Sequence, residues 1–247
     1  MPLKPTNAPV RRLTIMAASS LTEVFTELGR SFESEHPDIK IEFNFAGSQQ
    51  LAQQLANGAR ADVFASANQK QMDIAVQNGR VNAQDVIIFA KNQLVVVYPI
   101  DNPGKLTSLA NLAKPGVKIL IAAHEVPVGE YTLEFLAKAT QAGSFGQSYK
   151  ERVLANVVSY ETTVKAVVVK VGLGEADAGI VYESDINPIS KAKLGQIEIP
   201  ESINVVATYP IAPILDGQRD LAKMWIDYLL SDAGTQILTK YLFTPVH

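Results

Sequence analysis

The sequence predicts an α/β protein built mainly from parallel strands, and three observations support this prediction. Short apolar segments alternate along the chain with segments in which apolar residues recur at helical spacing. The 247 residues are 47% hydrophobic and 19% charged, which is typical of a globular chain with one large or two modest domains. There is no cysteine, which excludes disulfides, thiolate metal sites and thiol catalysis.

The first two strands and the helix between them are predicted from periodicity and breaker residues. Residues 12–17 form a short apolar run, and 39–45 alternate between apolar and polar side chains as in a half-buried strand. Between them, apolar residues recur at helical spacing over 21–32. Ser20 and Glu23 have the spacing of a capping box, which predicts that the helix begins there.

The same alternation continues through the middle of the chain. Glycines that suit the position after a helix follow two helical segments, 49–57 and 68–78. Short apolar runs bounded by turn residues predict the next strands, at 62–65, 86–90, 94–98 and 118–123. A further helix is predicted at 131–139.

The last part of the chain continues the pattern. Strands are predicted at 156–159, 178–182 and 204–209, and helices at 164–171, 221–229 and 232–240. The segment 164–171 is rich in β-branched residues, but it lies between two strands of an alternating pattern and is therefore predicted as a helix. Trp225 marks the buried face of the helix 221–229.

The overall charge and the first residues limit the class of protein further. Twenty-two basic and twenty-five acidic side chains give a net charge of −3, which argues against a nucleic-acid-binding protein. The sequence contains three histidines, too few for a metal site built from several histidines to be expected. Residues 1–10 contain no apolar signal segment and are expected to form a disordered leader. The protein is then either cytoplasmic or a mature chain in which Met1 replaces an export signal.

Four strand-to-helix junctions share one chemical character. They contain small, proline or hydroxyl-bearing residues without lysine or arginine, at 17–20, 46–48, 125–129 and 160–164. Ligands of open α/β sheets bind beyond the carboxyl ends of the strands, where helix starts present unpaired N–H groups and a positive dipole end. The junctions therefore indicate an anion site. The simpler alternative is that Ser20, Ser48 and Thr163 are ordinary helix caps.

The absence of cations restricts the anion. An ion held only by uncharged N–H and O–H donors must be small and must carry enough charge to offset its desolvation. A site without acceptors also disfavours an anion that carries its own proton. Molybdate, tungstate and sulfate meet these conditions, whereas phosphate, partly protonated at neutral pH, does not.

At these junctions the sequence resembles the periplasmic molybdate-binding proteins of bacterial ABC importers, a family of type II substrate-binding proteins. The similar segments follow one another in the family's order and spacing from about Arg12 onwards: AASSLTEVF (17–25), FAGSQQLAQQLANGARADVFASAN (45–68), VPVGEYT (126–132), ETTVKAVVVKVGLGEADAGIVYESD (161–185) and GTQILTKYLFTP (234–245). The resemblance implies a two-lobed fold, with a mainly parallel sheet flanked by helices in each lobe and the ligand in the cleft between them. We expect lobe 1 to comprise 11–92 and 209–247, and lobe 2 to comprise 93–208.

The resemblance also implies the residues that hold the ligand. The family's two serines correspond to Ser20 and Ser48, its amide donors to Val128 and Val164, and its tyrosine hydroxyl to Tyr182. Tyr182 is implied by the resemblance alone, because a tyrosine that ends an apolar strand is more often a core residue.

The sequence departs from the family pattern at three places. Gly47 stands where many members have serine, Val128 stands where many have alanine, and the stretch 161–164 is one residue longer than in some members. The third departure leaves open whether Thr163 or Val164 presents its N–H group.

The function implied by the resemblance is capture of molybdate or tungstate and its delivery to a membrane ABC permease. The protein is then a periplasmic or extracytoplasmic receptor without catalytic residues, metal-cation ligands or a cofactor, expected to be monomeric, and a lipid on its native N-terminus is a further option. Three alternatives remain: the oxyanion-sensing domain of a regulator, a sulfate-type receptor, and an enzyme. The enzyme lacks support from any nucleophile–histidine–carboxylate or metal-ligand spacing.

Overall fold

Strands and helices alternate along the chain, as the sequence predicts. This computed structural model describes residues 10–246, apart from the side chains of residues 188 and 189. All of the predicted leader except Val10 therefore lies outside the described residues. The strands are β1 (Arg11–Ala18), β2 (Ile39–Ala46), β3 (Val63–Ala65), β4 (Ile87–Pro99), β5 (Ile119–Ala122), β6 (Val157–Glu161), β7 (Ala178–Tyr182), β8 (Leu194–Glu198), β9 (Val206–Pro213) and β10 (Thr244–Pro245). The helices are α1 (Thr22–Glu35), α2 (Ser48–Ala56), α3 (Gln69–Gln77), α4 (Pro127–Gln141), α5 (Tyr149–Ala155), α6 (Val164–Gly172), α7 (Pro188–Lys191), α8 (Arg219–Leu229) and α9 (Asp232–Lys240).

Two groups of three parallel strands form the ends of one curled sheet, whose order is β2-β1-β3-β9-β4-β7-β5-β6. In one group β1 is parallel to β2 and β3, and in the other β5 is parallel to β6 and β7. The long antiparallel strand β4 joins them, because it pairs with β9 up to Gln93 and with β7 from Leu94 onwards. Within the described sheet, β4 and β9 therefore connect the two parallel groups, and β8 and β10 pair with β4 outside this order.

Two predicted strands, 86–90 and 94–98, are one strand in the structure. The sequence between them is polar, which suggested a break. Its backbone nevertheless stays paired, since Lys91, Asn92 and Gln93 lie opposite 206–208 of β9. Local polarity was misleading here because the buried Asn92 side chain donates a hydrogen bond to Ser184 Oγ at 2.7 Å.

Helix α4 begins at Pro127, four residues before the predicted start at 131. A proline at the first helical position needs no backbone partner and has a suitable φ angle, so it begins the helix. The short elements α5, α7, β8 and β10 were not predicted. No helix among the described residues is long and apolar enough to cross a bilayer.

The predicted buried face of helix α8 is confirmed. Trp225 is fully buried, and its ring lies 5.5 Å from that of Phe25 and 5.6 Å from that of Phe32, both edge-on. These contacts attach α8 to α1, which follows β1. Helix α1, which follows the first of the four junctions, is thus held in place by these edge-on aromatic contacts.

Candidate functional site

The five residues implied by the resemblance line one small cleft. Its open space is about 200 Å³. The residues around it come from the ends of β1, β2, β3 and β7 and from the starts of three helices: Ala18, Ser19, Ser20, Gly47, Ser48, Ala67, Val126, Pro127, Val128, Val164 and Tyr182. The structure therefore brings the predicted positions together from segments that are far apart in the chain.

Three helix N-termini meet at this cleft. Helix α2 begins at Ser48, α4 at Pro127 and α6 at Val164, each directly after a strand. N–H groups in the first turn of a helix have no acceptor within that helix. The amides of Val128 and Val164, both nearly fully buried, therefore lie where a helix offers free donors and the positive end of its dipole.

Thr163 and Val164, the two candidate N–H donors of this stretch, occupy different positions at the start of α6. Thr163 is the N-cap of α6, and its hydroxyl accepts a hydrogen bond from the N–H of Ala166 at 3.2 Å. Val164, the next residue, lines the cleft, whereas Thr163 does not. Thr163 thus has the ordinary capping role that the sequence allowed for.

The buried hydroxyl of Ser48 lines the cleft and accepts a hydrogen bond from the backbone. Its side chain is 1% exposed, and its Oγ accepts a hydrogen bond from the backbone N–H of Ala67 at 3.0 Å. Because that acceptor position is occupied by a donor, the serine's own proton remains available. Ser48 is also the first residue of α2 and not its cap, which is Gly47.

The capping box predicted for Ser20 is wrong. A short 3-10 turn over Ser19–Leu21 follows β1, so α1 begins only at Thr22 and Leu21 occupies its N-cap position without a side-chain bond. The Ser20 hydroxyl instead lies 3.1 Å from the hydroxyl of Tyr209 on β9, which donates to it. Ser20 is therefore free of the helix backbone and faces the cleft.

The hydroxyl of Tyr182 is a buried polar group of the cleft whose hydrogen bonding needs an explanation. Its side chain is 1% exposed, and its hydroxyl makes no hydrogen bond to any described residue. An unpaired buried hydroxyl costs about 1–3 kcal/mol, so its presence points to a bound partner. Burial raises the pKa of Tyr182 well above the ordinary value of 10.0, so the hydroxyl keeps its proton as a donor.

Charged groups surround the cleft but do not line it. None of the described lining residues is acidic or basic. At its margin, the Nζ of Lys70 lies 3.0 Å from Glu130 Oε1, and the Nζ of Lys165 lies 2.7 Å from Glu23 Oε2. No group of three or more metal-ligating side chains occurs among residues 10–246 as described. The chemistry of the cleft is thus that of uncharged hydrogen-bond donors, which suits an anion and not a metal cation.

A polar contact also closes the cleft where the sequence departs from the family pattern. The Gln49 side chain occupies the space that a side chain at Gly47 would take, at 2.5 Å from the position of its Cβ. The same amide donates to the carbonyl of Thr162 at 3.1 Å. Gln49 and Thr162 belong to different predicted lobes, so this bond joins the two sides of the cleft.

A second groove is larger and has a different character. About 650 Å³ of open space lies between α6, α7 and β8, where apolar side chains such as Val169 and Leu173 alternate with polar ones such as Ser190. None of the five predicted site residues reaches it. The predicted donors therefore converge on a cleft that is smaller than this groove.

Comparison with known proteins agrees with this geometry. The model of a family described as bacterial extracellular solute-binding proteins matches residues 13–244. The chain belongs to this family. The molybdate-binding protein ModA of Mycobacterium tuberculosis is 37% identical to this solute-binding protein over 238 residues, which cover 96% of the present chain and 85% of that relative.

Two further comparisons extend this result. ModA of Escherichia coli is 31% identical over 243 residues, covering 94% of the present chain and 89% of its own. The structure of the Azotobacter vinelandii periplasmic molybdate-binding protein superposes with a TM-score of 0.81 at 17% identity, covering 94% of this chain and 98% of the other. The latter likeness concerns the fold, which is the two-lobed type II fold that the resemblance implied.

Several residues that shape the cleft were not found from the sequence. The N–H of Ala67 and the hydroxyl of Tyr209 direct the two serines, and Asp185 accepts the Tyr182 N–H at 3.1 Å. Tyr209 lies in an apolar strand, where nothing local separates it from a core tyrosine. Only the pairing of β9 with β3 and β4 brings it beside Ser20.

Proposed function

We propose that this solute-binding protein captures a tetrahedral, doubly charged metal-oxo anion, molybdate or tungstate, and delivers it to the permease of an ABC importer. The observation that carries the proposal is the unpartnered, fully buried hydroxyl of Tyr182, facing a cleft lined by uncharged residues. In this proposal Ser20, Ser48 and Tyr182 donate through hydroxyls, while Val128 and Val164 donate through backbone N–H groups.

The direction of the hydrogen bonds favours a fully deprotonated anion. The Oγ atoms of Ser20 and Ser48 already accept bonds from Tyr209 and Ala67. The first-turn amides have no acceptor function, so a proton on the ligand would have to use the remaining hydroxyl lone pairs at the expense of a hydroxyl donor, which disfavours a protonated anion. We propose molybdate as the first candidate ligand because the two ModA relatives described above are named as molybdate-binding proteins. Tungstate is the second candidate because it has the same charge and nearly the same size.

Release and delivery require the two sides of the cleft to separate. We take 11–92 with 209–247 as one lobe and 93–208 as the other, joined by β4 and β9. The contacts across the cleft, such as Gln49 with Thr162, then break by a hinge motion. The receptor is proposed to act as a monomer without turnover, outside the cytoplasmic membrane, held there by a lipid on the native N-terminus.

Calorimetric titration with four anions tests the ligand. We expect one molybdate or tungstate ion to bind per chain, sulfate to bind more weakly, and phosphate to bind most weakly. Tightest binding of sulfate would indicate a sulfate-type receptor instead. Absence of molybdate and tungstate binding, or tighter binding of phosphate, contradicts the proposal.

Tyr182→Phe separates ligand binding from stability. Loss of one hydrogen bond to a charged ligand is worth about 1.5–3 kcal/mol, so the molybdate Kd should rise about 10- to 100-fold. The ligand-free protein should keep its melting temperature or gain stability, because the lost hydroxyl has no partner there. Calorimetry and thermal unfolding measure the two effects.

Tyr149→Phe is the matched control. Tyr149 is also buried, but its hydroxyl donates to the carbonyl of Leu109 at 2.7 Å, remote from the cleft. This variant should lose stability and keep its molybdate affinity. The same pattern in Tyr182→Phe would make Tyr182 a purely structural residue.

A further inference from the structure

A residue outside the lining of the cleft controls one of its donors. Tyr209 is fully buried on β9, and its hydroxyl is 3.1 Å from Ser20 Oγ. The ring packs against Phe243 and Tyr182, with centroids 5.2 and 5.8 Å away. The packing fixes the position of the hydroxyl, so its contact with Ser20 is a defined one.

The proton arrangement follows from the neighbours of Tyr209. With an anion in the cleft, the Ser20 proton is drawn towards the charge, because charge-assisted hydrogen bonds are the stronger ones. The single proton of Tyr209 is then shared with Ser20 Oγ, and the chain of hydrogen bonds runs from Tyr209 through Ser20 to the ligand.

We propose that Tyr209 is a positioning residue that affects anion specificity, because its hydrogen bond occupies one of the two lone pairs of Ser20 Oγ and favours Ser20 as a donor to the ligand. This inference rests on the proposed function of the cleft. A ligand proton, such as that of hydrogen phosphate, needs an acceptor, and the lone pairs of Ser20 are the natural one. Tyr209 occupies one of these lone pairs with its own proton and thereby makes Ser20 a poorer acceptor for the ligand proton.

Ser48 Oγ also accepts a hydrogen bond, but its donor belongs to the backbone and not to a side chain. Its Oγ accepts from the backbone N–H of Ala67, which no substitution removes without moving the chain. Tyr209 is therefore the position where the hydrogen bond that occupies a serine lone pair can be removed by a single side-chain substitution. Tyr209→Phe keeps the ring and its aromatic packing while removing only the hydroxyl.

The test compares molybdate with phosphate in the wild type and in Tyr209→Phe. Calorimetry with each anion, with phosphate also added as a competitor, should give a roughly tenfold loss of molybdate affinity and no loss for phosphate. The ratio of the phosphate Kd to the molybdate Kd should thus fall about tenfold. Tyr149→Phe should leave that ratio unchanged. An equal loss for both anions, or no change, would mean that Tyr209 acts only in packing.

A double-mutant cycle with Ser20→Ala identifies the route. If Tyr209 acts through Ser20, Tyr209→Phe should change molybdate affinity less than twofold in the Ser20→Ala background. A full effect in that background overturns the inference. A wild-type chain that binds no molybdate contradicts the proposed function, whereas a binding wild type with an unchanged preference in Tyr209→Phe contradicts only the role of Tyr209.

Discussion

Lys165→Met is expected to lower the free energy of unfolding by about 3–5 kcal/mol at neutral pH, because it leaves a buried carboxylate without its cation. Asp185 is fully buried, and its Oδ1 lies 3.0 Å from the Nζ of Lys165. Its other oxygen accepts the N–H of Tyr182 at 3.1 Å. Loss of the lysine therefore disturbs both the core and the strand end that carries a site residue.

The pH dependence of this effect has a definite sign. Burial by itself lowers the pKa of Lys165, but Asp185 and Glu23 together raise it above its ordinary value of 10.5. A raised lysine pKa stabilises the folded state fully below the unfolded pKa, which is about 10.4. The difference between wild type and Lys165→Met should therefore be largest near neutral pH and should shrink as the pH rises through the raised pKa of Lys165. It should also shrink in acid, where Asp185, whose pKa is raised by burial, becomes protonated.

Two variants serve as controls for Lys165→Met in urea unfolding. Lys170→Met, on the same helix, removes a more exposed pair with Glu161 and should cost much less stability. Glu23→Gln removes the contact across the cleft but leaves the Lys165–Asp185 pair intact. It should weaken molybdate binding with little loss of stability. Wild-type stability of Lys165→Met at neutral pH would contradict this account.

Gly129→Ala should impair both stability and binding. Gly129 lies in the first turn of α4, next to Val128. A Cβ at this position would overlap the carbonyl oxygen of Ala123, just after β5, and lie 2.6 Å from that of Ala122, the last residue of β5. Overpacking of this kind costs about 1–3 kcal/mol or more. The start of α4 has to shift, and the Val128 amide shifts with it.

The expected loss of molybdate affinity is tenfold or more, since displacement of one charge-assisted hydrogen bond is worth about 1.5–3 kcal/mol. Urea unfolding and calorimetry measure the two effects. Gly172→Ala is the control, because its added Cβ would meet side chains only at 3.7 Å or beyond. It should keep its affinity and remain as stable or gain up to about 1 kcal/mol. Unchanged stability and affinity in Gly129→Ala would show that α4 tolerates displacement.

The sequence was informative where chemistry and spacing act locally. The alternation of strands and helices placed Ser48 and Val164 at helix starts, and both are the first residues of their helices. It was misleading at Ser20, where a capping box has the right residues but the chain makes a 3-10 turn first. It also divided β4 at a polar stretch that stays paired because Asn92 finds a buried partner, Ser184, distant in the chain.

By itself, the sequence determined the α/β class, the helix starts rich in donors and the absence of cationic residues from the four junctions. Tertiary structure alone decided which way each hydroxyl donates. Tyr209 lies 189 residues from Ser20, and Ala67 lies 19 residues from Ser48. A hydroxyl both donates and accepts, so its direction depends on the neighbour that occupies its lone pairs, and strand pairing brings that neighbour into place.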